Sequence, residues 1–581
     1  MYAFLRKSTA VLLSLIIGFS LVGCAGDSPS PRTSCAAFDE FCMDLFRQEI
    51  SSNTLSLHYT IAKPSSFGIE DYEVGLGELS SDGSYEKTCK LLASLRDFEV
   101  ENLDLQQQFT YDALEYELEL RLESESFRLF DEVLSPHGGL QVELPLLLAE
   151  MPLRSTTDVD DYLEMLDCVD NLFENILQYE NEKAARGLFM SDEQLEGVLA
   201  SCDKILSTSE DGFMFSSFTK RLDSLKEVTE SDRDTYIKNH SRILKEVFFP
   251  AYEKLVDGLA LLKGKGTNEL GLCQFQDGRE YYEHLVKCCL GTSLSIPDLF
   301  QEIEKARDND LQACAVLFAE NQNLFEECSD IRIPCSSEKD MIQRLQQEMV
   351  KEFPAPVISS CDVAFSDEAM ADFLAPAYYL TAPMDAYTEN TIYINGAKAE
   401  EGIYYFTTLA HEGFPGHLYQ TTMSYSYGMK PVQLLFSAPS FVEGWATYVE
   451  LLSFRYAGLA DDVASFLIHN RSATLSLYAT SDLGIHYFGW NEKDLLDFWK
   501  QYGINSKTTV HEIAQLVISN PGNYLKYYVG YLQIEKLKEK AKATLGSAYT
   551  DVNFHETLLR MGPAPFDVIE KYFDRFYSRS I

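Results

Sequence analysis

The spacing of apolar residues sets the fold class of this chain. From about Phe38 to Met370, apolar residues recur at intervals of three and four positions, which is the period of an α-helix. The segments 105–122, 158–183 and 232–262 combine this spacing with acidic faces, as amphipathic helices do when they bury one side. We therefore predict a mainly α, large helical protein.

A small β element interrupts the helical pattern after about residue 375. The segments 378–381 and 391–394 are rich in β-branched and aromatic residues, and the pair 395–396 is Asn-Gly, a strong turn signal. Helical patterns resume over about 397–411 and again over about 440–456. The β element is therefore expected to lie beside the helix that contains the candidate site described below.

Composition limits the partners of this chain. It has 581 residues, with 90 acidic and 48 basic side chains and a formal net charge of −42. Such a field repels phosphate backbones, so we predict no nucleic-acid partner. Twelve of the thirteen cysteines lie between Cys35 and Cys361 without a compact disulfide framework, so disulfides and buried thiols both stay open.

The first residues have the pattern of an export signal. Arg6 and Lys7 precede a mostly apolar run that is too short to span a membrane, and a small residue precedes Cys24. The sequence Leu-Val-Gly-Cys resembles a bacterial lipobox, which implies cleavage after residue 23 and lipidation of Cys24. A plain signal peptide with a chance cysteine is the alternative. We expect the cell membrane to hold this protein through the lipid alone, on its extracytoplasmic side.

These patterns divide the chain into four regions. Residues 1–23 form the predicted signal peptide, and residues 24–37, rich in Ser, Pro and Gly, form a flexible tether. Residues 38–375 form a helical N-terminal region. Residues 376–581 contain the candidate chemistry and are predicted to be the catalytic region.

The segment His411-Glu412-Gly-Phe-Pro415-Gly416-His417 suggests a metal site. Zinc hydrolases commonly place two histidines four residues apart on one helix, with a glutamate that takes a proton from water. Here the spacing is six residues, which in a regular helix turns His417 about 120° away from His411. Pro415 and Gly416 break that regularity, so the helix is expected to end or bulge and return His417 to His411.

A second helix supplies a candidate third ligand. Glu443 and Glu450 are seven residues apart and therefore share one helix face. Glu443 would complete a metal site with the two histidines. The alternative is structural, because Ser440-x-x-Glu443 also fits a capping box.

Later residues offer candidate groups for stabilising an oxyanion. His486 could do so or orient substrate, although a structural histidine fits equally well. A phenol from Tyr524, Tyr527, Tyr528 or Tyr531 could donate to the oxyanion, with Tyr527 or Tyr528 preferred. His469 and His555 are interpreted as structural groups. His511 and Glu512 form a second His-Glu pair, which is not interpreted as a metal site because no second imidazole follows it.

Together these residues resemble the domain of unknown function 885 family, densely from about residue 376 to the C-terminus and diffusely before it. The matching segments are Tyr379-Leu380-Thr381, Asn390 to Asn395, Thr407 to His417, Glu443-Gly444-Trp445-Ala446, Asp482-x-Gly484-x-His486-x-x-Gly489-Trp490, Tyr527-x-x-Gly530 and Phe554 to Gly562. Members of that family are commonly bacterial lipoproteins and are grouped with the zincin metallopeptidases. The resemblance therefore implies a zincin-like fold.

A more distant similarity is to the thimet-oligopeptidase-like peptidases, which are large helical proteins with a deep substrate cleft. It implies that Zn²⁺ binds His411, His417 and Glu443 and that Glu412 is the general base. It also implies that the strand from Thr391 through Tyr393 to Ile394 is an edge strand that pairs with substrate. The longer histidine spacing departs from this pattern.

We therefore predict a zinc peptidase that hydrolyses peptide bonds with a metal-activated water. Glu412, Tyr527 and His486 are its candidate catalytic residues. One alternative is a non-catalytic surface-binding lipoprotein with a vestigial metal site. Another is a metalloamidase that cleaves cell-wall peptides with the same residues. The substrate sequence and the oligomeric state are not predicted.

Overall fold

The structure is a computed structural model that describes most of the chain. The described residues are 35–77, 84–208, 212–266, 269–329, 331, 333–366, 371, 374–399 and 402–580. The predicted signal peptide and Cys24 lie outside them. Within the described ranges, no helix is both long and apolar enough to cross a membrane. The twelve cysteines from Cys35 to Cys361 form no disulfide.

The chain packs into two compact units. One extends to Glu269 and includes Ala382–Ala386, and the other comprises Leu270–Thr381 and Tyr387–Ile581. These units are defined by packing. The boundary predicted at 375/376 instead separates a helical N-terminal region from a catalytic region, and it stays a prediction.

The first unit consists of helices in its described part. They are α1 (Cys35–Ile50), α2 (Thr54–Thr60), α3 (Ser84–Arg96), α4 (Leu105–Ser124), α5 (Leu140–Glu150), α6 (Thr156–Asp167), α7 (Val169–Ala185), α8 (Asp192–Ser207), α9 (Phe213–Asp223), α10 (Glu230–Ile243) and α11 (Phe249–Ala260). Its core contains His240, which is fully buried and stacks on Phe218 with ring centroids 4.2 Å apart. The hydroxyl of Tyr162 lies 3.1 Å from Nε2 of His240, so the imidazole packs like an aromatic residue with one polar partner.

The second unit contains the candidate site. Its elements are α12 (Gly278–Leu290), α13 (Ile296–Glu320), α14 (Leu324–Ser329), α15 (Glu338–Met349), β1 (Asp362–Phe365), β2 (Ala377–Tyr379), β3 (Thr391–Ile394), α16 (Gly402–Glu412), α17 (His417–Ser426), α18 (Pro439–Ser453), α19 (Asp461–Leu483), α20 (Glu492–Lys500), α21 (Lys507–Ile518), α22 (Asn523–Leu545), α23 (Asp551–Met561) and α24 (Phe566–Ser580). Helices dominate and the β element is small, so the predicted fold class is confirmed.

The three strands form one sheet in the order β1-β3-β2. β3 runs parallel to β1, pairing Thr391 with Asp362, and antiparallel to β2, pairing Tyr393 with Tyr378. The expectation that β3 is a substrate-pairing edge strand is therefore wrong. β3 lies between the other two strands, so Tyr393 and Ile394 are paired on both sides and Thr391 is paired with β1.

A close helix crossing sets the position of the candidate ligands. Gly444 of α18 lies against Gly530 of α22, and a Cβ added to Gly444 would stand 2.4 Å from the carbonyl carbon of Gly530. Only glycine permits this approach, because any side chain would force the helices apart. The crossing places Glu443 on α18 beside Lys526 and Tyr527 on α22.

Candidate metal centre

The histidine motif spans the end of one helix and the start of the next. α16 ends at Glu412 and α17 begins at His417. The turn between them depends on Gly416, where an added Cβ would lie 1.8 Å from the carbonyl oxygen of His411. The indole of Trp445 donates to the carbonyl oxygen of Pro415 at 2.9 Å. The expected helix break is therefore present, and it returns His417 to His411.

Three candidate ligand atoms converge at this break. Oε2 of Glu443 lies 3.5 Å from Nε2 of His417 and 3.8 Å from Nε2 of His411. One ligand atom from each of the three residues fits within a span of 4.8 Å. Two donors on one tetrahedral zinc stand about 3.4 Å apart, given bond lengths near 2.1 Å. The donor set and its spacing therefore fit a divalent metal with little rearrangement.

Glu443 is available for this role because it does not cap its helix. α18 begins at Pro439, after Ala438, so Ser440 lies inside the helix. The hydroxyl of Ser440 donates instead to the carbonyl oxygen of Leu290 at 3.0 Å. The capping-box alternative is therefore wrong, and the carboxylate of the buried Glu443 faces the two histidines.

Glu450 and Arg471 form a second layer behind His411. Oε2 of Glu450 accepts a hydrogen bond from Nδ1 of His411 at 3.0 Å, and its Oε1 accepts one from Nε of Arg471, also at 3.0 Å. This layer fixes the orientation of His411 and leaves Nε2 toward Glu443. The sequence placed Glu450 on the correct face but did not indicate this role. Glu450 and Arg471 lie on two successive helices, α18 and α19, so their contact could not be predicted from residue spacing.

Electrostatics at the site match a metal-binding function. Burial opposes charge on His411, but its hydrogen bond to Glu450 and the charges of Glu412, Glu450 and Glu443 raise its pKa to about 9. Burial likewise opposes charge on Glu443. The hydrogen bond from His417 and the charges of Lys526 and both histidines nevertheless hold its pKa well below the usual range. A metal would displace the proton of His411 and meet an ionised Glu443.

Glu412 lies at the end of α16, next to the sheet. Its Oε2 accepts a hydrogen bond from the backbone N–H of Tyr379 in β2 at 2.9 Å. This contact orients the carboxylate and confirms that the β element lies beside the helix of the candidate metal site.

Of the tyrosines in the run 524–531, Tyr527 reaches the candidate ligands. Its ring centroid lies 6.4 Å from that of His411. Burial, followed by the charges of Glu443 and Glu412, raises the pKa of Tyr527 well above its ordinary value, so the phenol keeps its proton and can donate it in a hydrogen bond. Tyr528 is fully buried and lies 6.1 Å from Tyr531, centroid to centroid, in the packed interior.

The structure does not bring His486 to the site as a free donor, which corrects its predicted catalytic role. Its Nδ1 accepts a hydrogen bond from the N–H of Leu272 at 3.2 Å, and its Nε2 donates to the carbonyl oxygen of Val517 at 3.0 Å. Burial lowers the pKa of His486 to about 4, which keeps the ring neutral. Both nitrogens are therefore used by the fold, and His486 is structural.

Three further histidines considered from the sequence lie outside the candidate ligand cluster. His469 lies 2.8 Å from Asp310, and Nδ1 of the exposed His511 lies 2.6 Å from Oε1 of Glu492. His555 is fully buried and stacks on a neighbouring phenylalanine ring.

Comparison with known proteins identifies a family that matches most of the chain. The family model described as "Bacterial protein of unknown function (DUF885)" matches residues 65–572, which confirms the family resemblance. No curated protein is similar to the chain in sequence.

Two solved structures share its fold. The crystal structure of a "putative lipoprotein" from Colwellia psychrerythraea matches with a TM-score of 0.78 at 17% identity, covering 94% of this chain and 99% of that one. A second, of a "putative lipoprotein of unknown function" from Shewanella oneidensis, matches with a TM-score of 0.62 at 16% identity, covering 93% and 99%. At these identities the likeness shows the fold alone. A "putative oligoendopeptidase F" from Bacillus anthracis str. Ames matches at a TM-score of 0.31 and 10% identity, covering 85% and 95%, which is too low to support an inference.

Proposed function

This chain belongs to the DUF885 family of bacterial proteins of unknown function, and we propose that it is a metal-dependent peptidase. The observation that supports this proposal is the convergence of His411, His417 and Glu443 beside the ionisable carboxylate of Glu412. Two histidines and a glutamate form one of the usual ligand sets of catalytic zinc, in which a fourth position stays open. Zinc is therefore the proposed metal.

The surrounding residues would perform the proton transfers. A bound divalent metal lowers the pKa of water and polarises a carbonyl group. Glu412, held by the N–H of Tyr379, would accept the proton of the attacking water and then deliver it to the leaving amine. Tyr527, protonated and close to His411, would donate a hydrogen bond to the developing oxyanion, which is typically worth about 3 kcal/mol.

β2 replaces β3 as the proposed substrate-pairing strand. Among the described strands it lies at the edge of the sheet, and its Tyr379 backbone N–H donates to Glu412. An extended peptide added beside β2 would therefore run past the general base. Strand addition of this kind supplies backbone hydrogen bonds that do not depend on the side chains of the peptide.

We further propose that a lipid on Cys24 anchors the protein at the cell surface, with the site on the extracytoplasmic side. The lipobox-like sequence before Cys24 supports this location. Two proteins of the same fold are also described as lipoproteins, although this says nothing of the membrane side on which the present chain lies.

The alternatives differ in testable ways. A non-catalytic binding protein with a vestigial site has no use for Glu412, whose intact position beside the ligands favours an enzyme. A metalloamidase for cell-wall peptides would use the same residues and would differ only in its substrates. A panel containing both unbranched peptides and peptide cross-links distinguishes the two enzymes.

Metal analysis of the purified protein tests the proposal. We expect about one zinc per chain in the wild type and in a His511→Ala control, whose histidine contacts Glu492 at the surface. We expect loss of that metal in His411→Ala, together with loss of peptide hydrolysis. A wild-type protein that binds no divalent metal would overturn the proposal.

A further inference from the structure

We propose that Lys526 is a positioning residue of the candidate metal centre, which holds back one oxygen of Glu443 so that only the other is presented to the metal. This inference rests on the proposed metal-binding function. Its test separates the two ideas, because the decisive measurement is the coordination of a bound metal rather than peptidase activity.

The two carboxylate oxygens of Glu443 face different partners. Oε2 is the atom that lies 3.5 Å from His417 and 3.8 Å from His411. Oε1 lies 3.9 Å from Nζ of Lys526. The side chains of both members of this ion pair are almost fully buried, at 7% exposure for Lys526 and 6% for Glu443. The carboxylate is therefore divided between a metal-facing oxygen and a lysine-facing oxygen.

The packing of two helix backbones fixes the position of this lysine. Lys526 precedes Gly530 by one helical turn, and Glu443 directly precedes Gly444, so the glycine contact between α22 and α18 brings the two side chains together. Nζ of Lys526 also lies 5.0 Å from the ring centroid of Tyr527. The ammonium group is thus confined between Glu443 and an aromatic ring.

A buried ammonium group at this point has a chemical consequence. An isolated charge at this depth is costly, so Lys526 requires a carboxylate partner. A carboxylate can bind a metal through one oxygen or through both. Because Lys526 pairs with Oε1, binding of the metal through Oε2 alone is favoured. This mode keeps the coordination number of the metal low and leaves room for water and a substrate carbonyl. The positive charge also reduces the electron density that Glu443 gives to the metal.

The test uses the full chain loaded with Co²⁺, whose visible absorption is strong in four-coordinate sites and weaker in five-coordinate ones. Lys526→Met frees Oε1, so we expect a loss of absorption intensity with Co²⁺ affinity undiminished. Lys526→Arg keeps a positive charge and should restore the wild-type spectrum. Lys538→Met is the matched control, because Lys538 is a buried lysine of the same helix that contacts Tyr448 and Asp551 instead of a ligand.

The outcomes separate the two ideas. A Lys526→Met spectrum identical to that of the wild type would overturn the positioning role. Weakened Co²⁺ binding with an unchanged spectral shape would also overturn it, because this result indicates a merely structural lysine. If circular dichroism shows that Lys526→Met does not fold, Lys526→Gln replaces it. A Co²⁺ absorption spectrum like that of the wild type in Lys526→Gln overturns the role, and a loss of absorption intensity supports it. Absence of Co²⁺ and Zn²⁺ binding in the wild type would overturn both ideas, whereas binding without hydrolysis would overturn the peptidase alone.

Discussion

Nδ1 of His411 donates a hydrogen bond to Oε2 of Glu450 across 3.0 Å. Since a carboxylate only accepts, this contact keeps a proton on Nδ1, so Nε2 is the nitrogen that would give up its proton to a metal. Arg471 holds the other oxygen of Glu450 in turn. The two hydrogen bonds that link Arg471, Glu450 and His411 therefore hold one candidate ligand in a fixed orientation.

Removing this support should weaken metal binding. In Glu450→Gln the acceptor charge is lost and His411 is less firmly oriented, so we expect zinc affinity to fall by about 10–100-fold. Competition with a chromophoric chelator measures the change. Glu535→Gln is a suitable control, since Glu535 is a partly buried glutamate of α22 for which the structure gives no contact with the ligands. Equal affinities in the two variants would contradict the role of Glu450.

The contact between Gly444 and Gly530 should be intolerant of a methyl group. Gly444→Ala places a Cβ 2.4 Å from the backbone of Gly530, so the helices must separate. We expect the free energy of unfolding to fall by about 1–3 kcal/mol, because overpacking of this kind strains the backbone.

Zinc affinity should fall in the same variant, since α18 contains Glu443. Urea denaturation and metal titration measure the two effects. Gly75→Ala is the control, because a Cβ there meets nothing within 4 Å. If Gly444→Ala has the unfolding free energy and the zinc affinity of the wild type, the prediction that this helix crossing excludes a methyl group is wrong.

His240 should make the first unit sensitive to acid. Burial, aided by the charge of Arg221, lowers the pKa of His240 from 6.5 to about 3. The unfolded chain therefore takes up a proton that the folded chain excludes, so this contribution to stability is present above pH 6.5 and is lost as the pH falls toward 3. Between about pH 7.5 and about pH 5 the loss is about 2 kcal/mol.

His240→Gln does not titrate and can still accept a hydrogen bond from Tyr162. Its unfolding free energy should therefore vary less with pH than that of the wild type, whereas His511→Gln, at an exposed position, should change the pH profile little. Parallel pH profiles for the wild type and His240→Gln would contradict the prediction.

The local pattern of residues is sufficient to predict some structural features of this protein. The helical class, the bounds of β3 and the break between Glu412 and His417 all follow from residue spacing and from the backbone limits of proline and glycine. The strand order did not follow, because β1 pairs with β3 across an intervening stretch that contains β2. The distant family resemblance implies an edge strand at β3, and no local pattern indicates β1, which occupies that side.

Contacts between distant helices were also hidden from the sequence. Lys526 and Arg471 read as ordinary charged residues until the packing of α22 and α19 around α18 shows their partners. His486 is the converse case, since its sequence neighbourhood suggested chemistry, whereas Leu272 and Val517 occupy both of its ring nitrogens. Whether a polar group is already satisfied is a tertiary property.

Comparison of the wild type with Glu412→Gln tests the central claim most directly. Both proteins should bind about one zinc, because Glu412 is not a proposed ligand. Hydrolysis of a peptide library should fall by about 10²–10⁴-fold in the variant, the usual contribution of a general base. Glu512→Gln, from the other His-Glu pair, should retain full activity. Full activity in Glu412→Gln, or hydrolysis that persists after the metal is removed, would contradict the account.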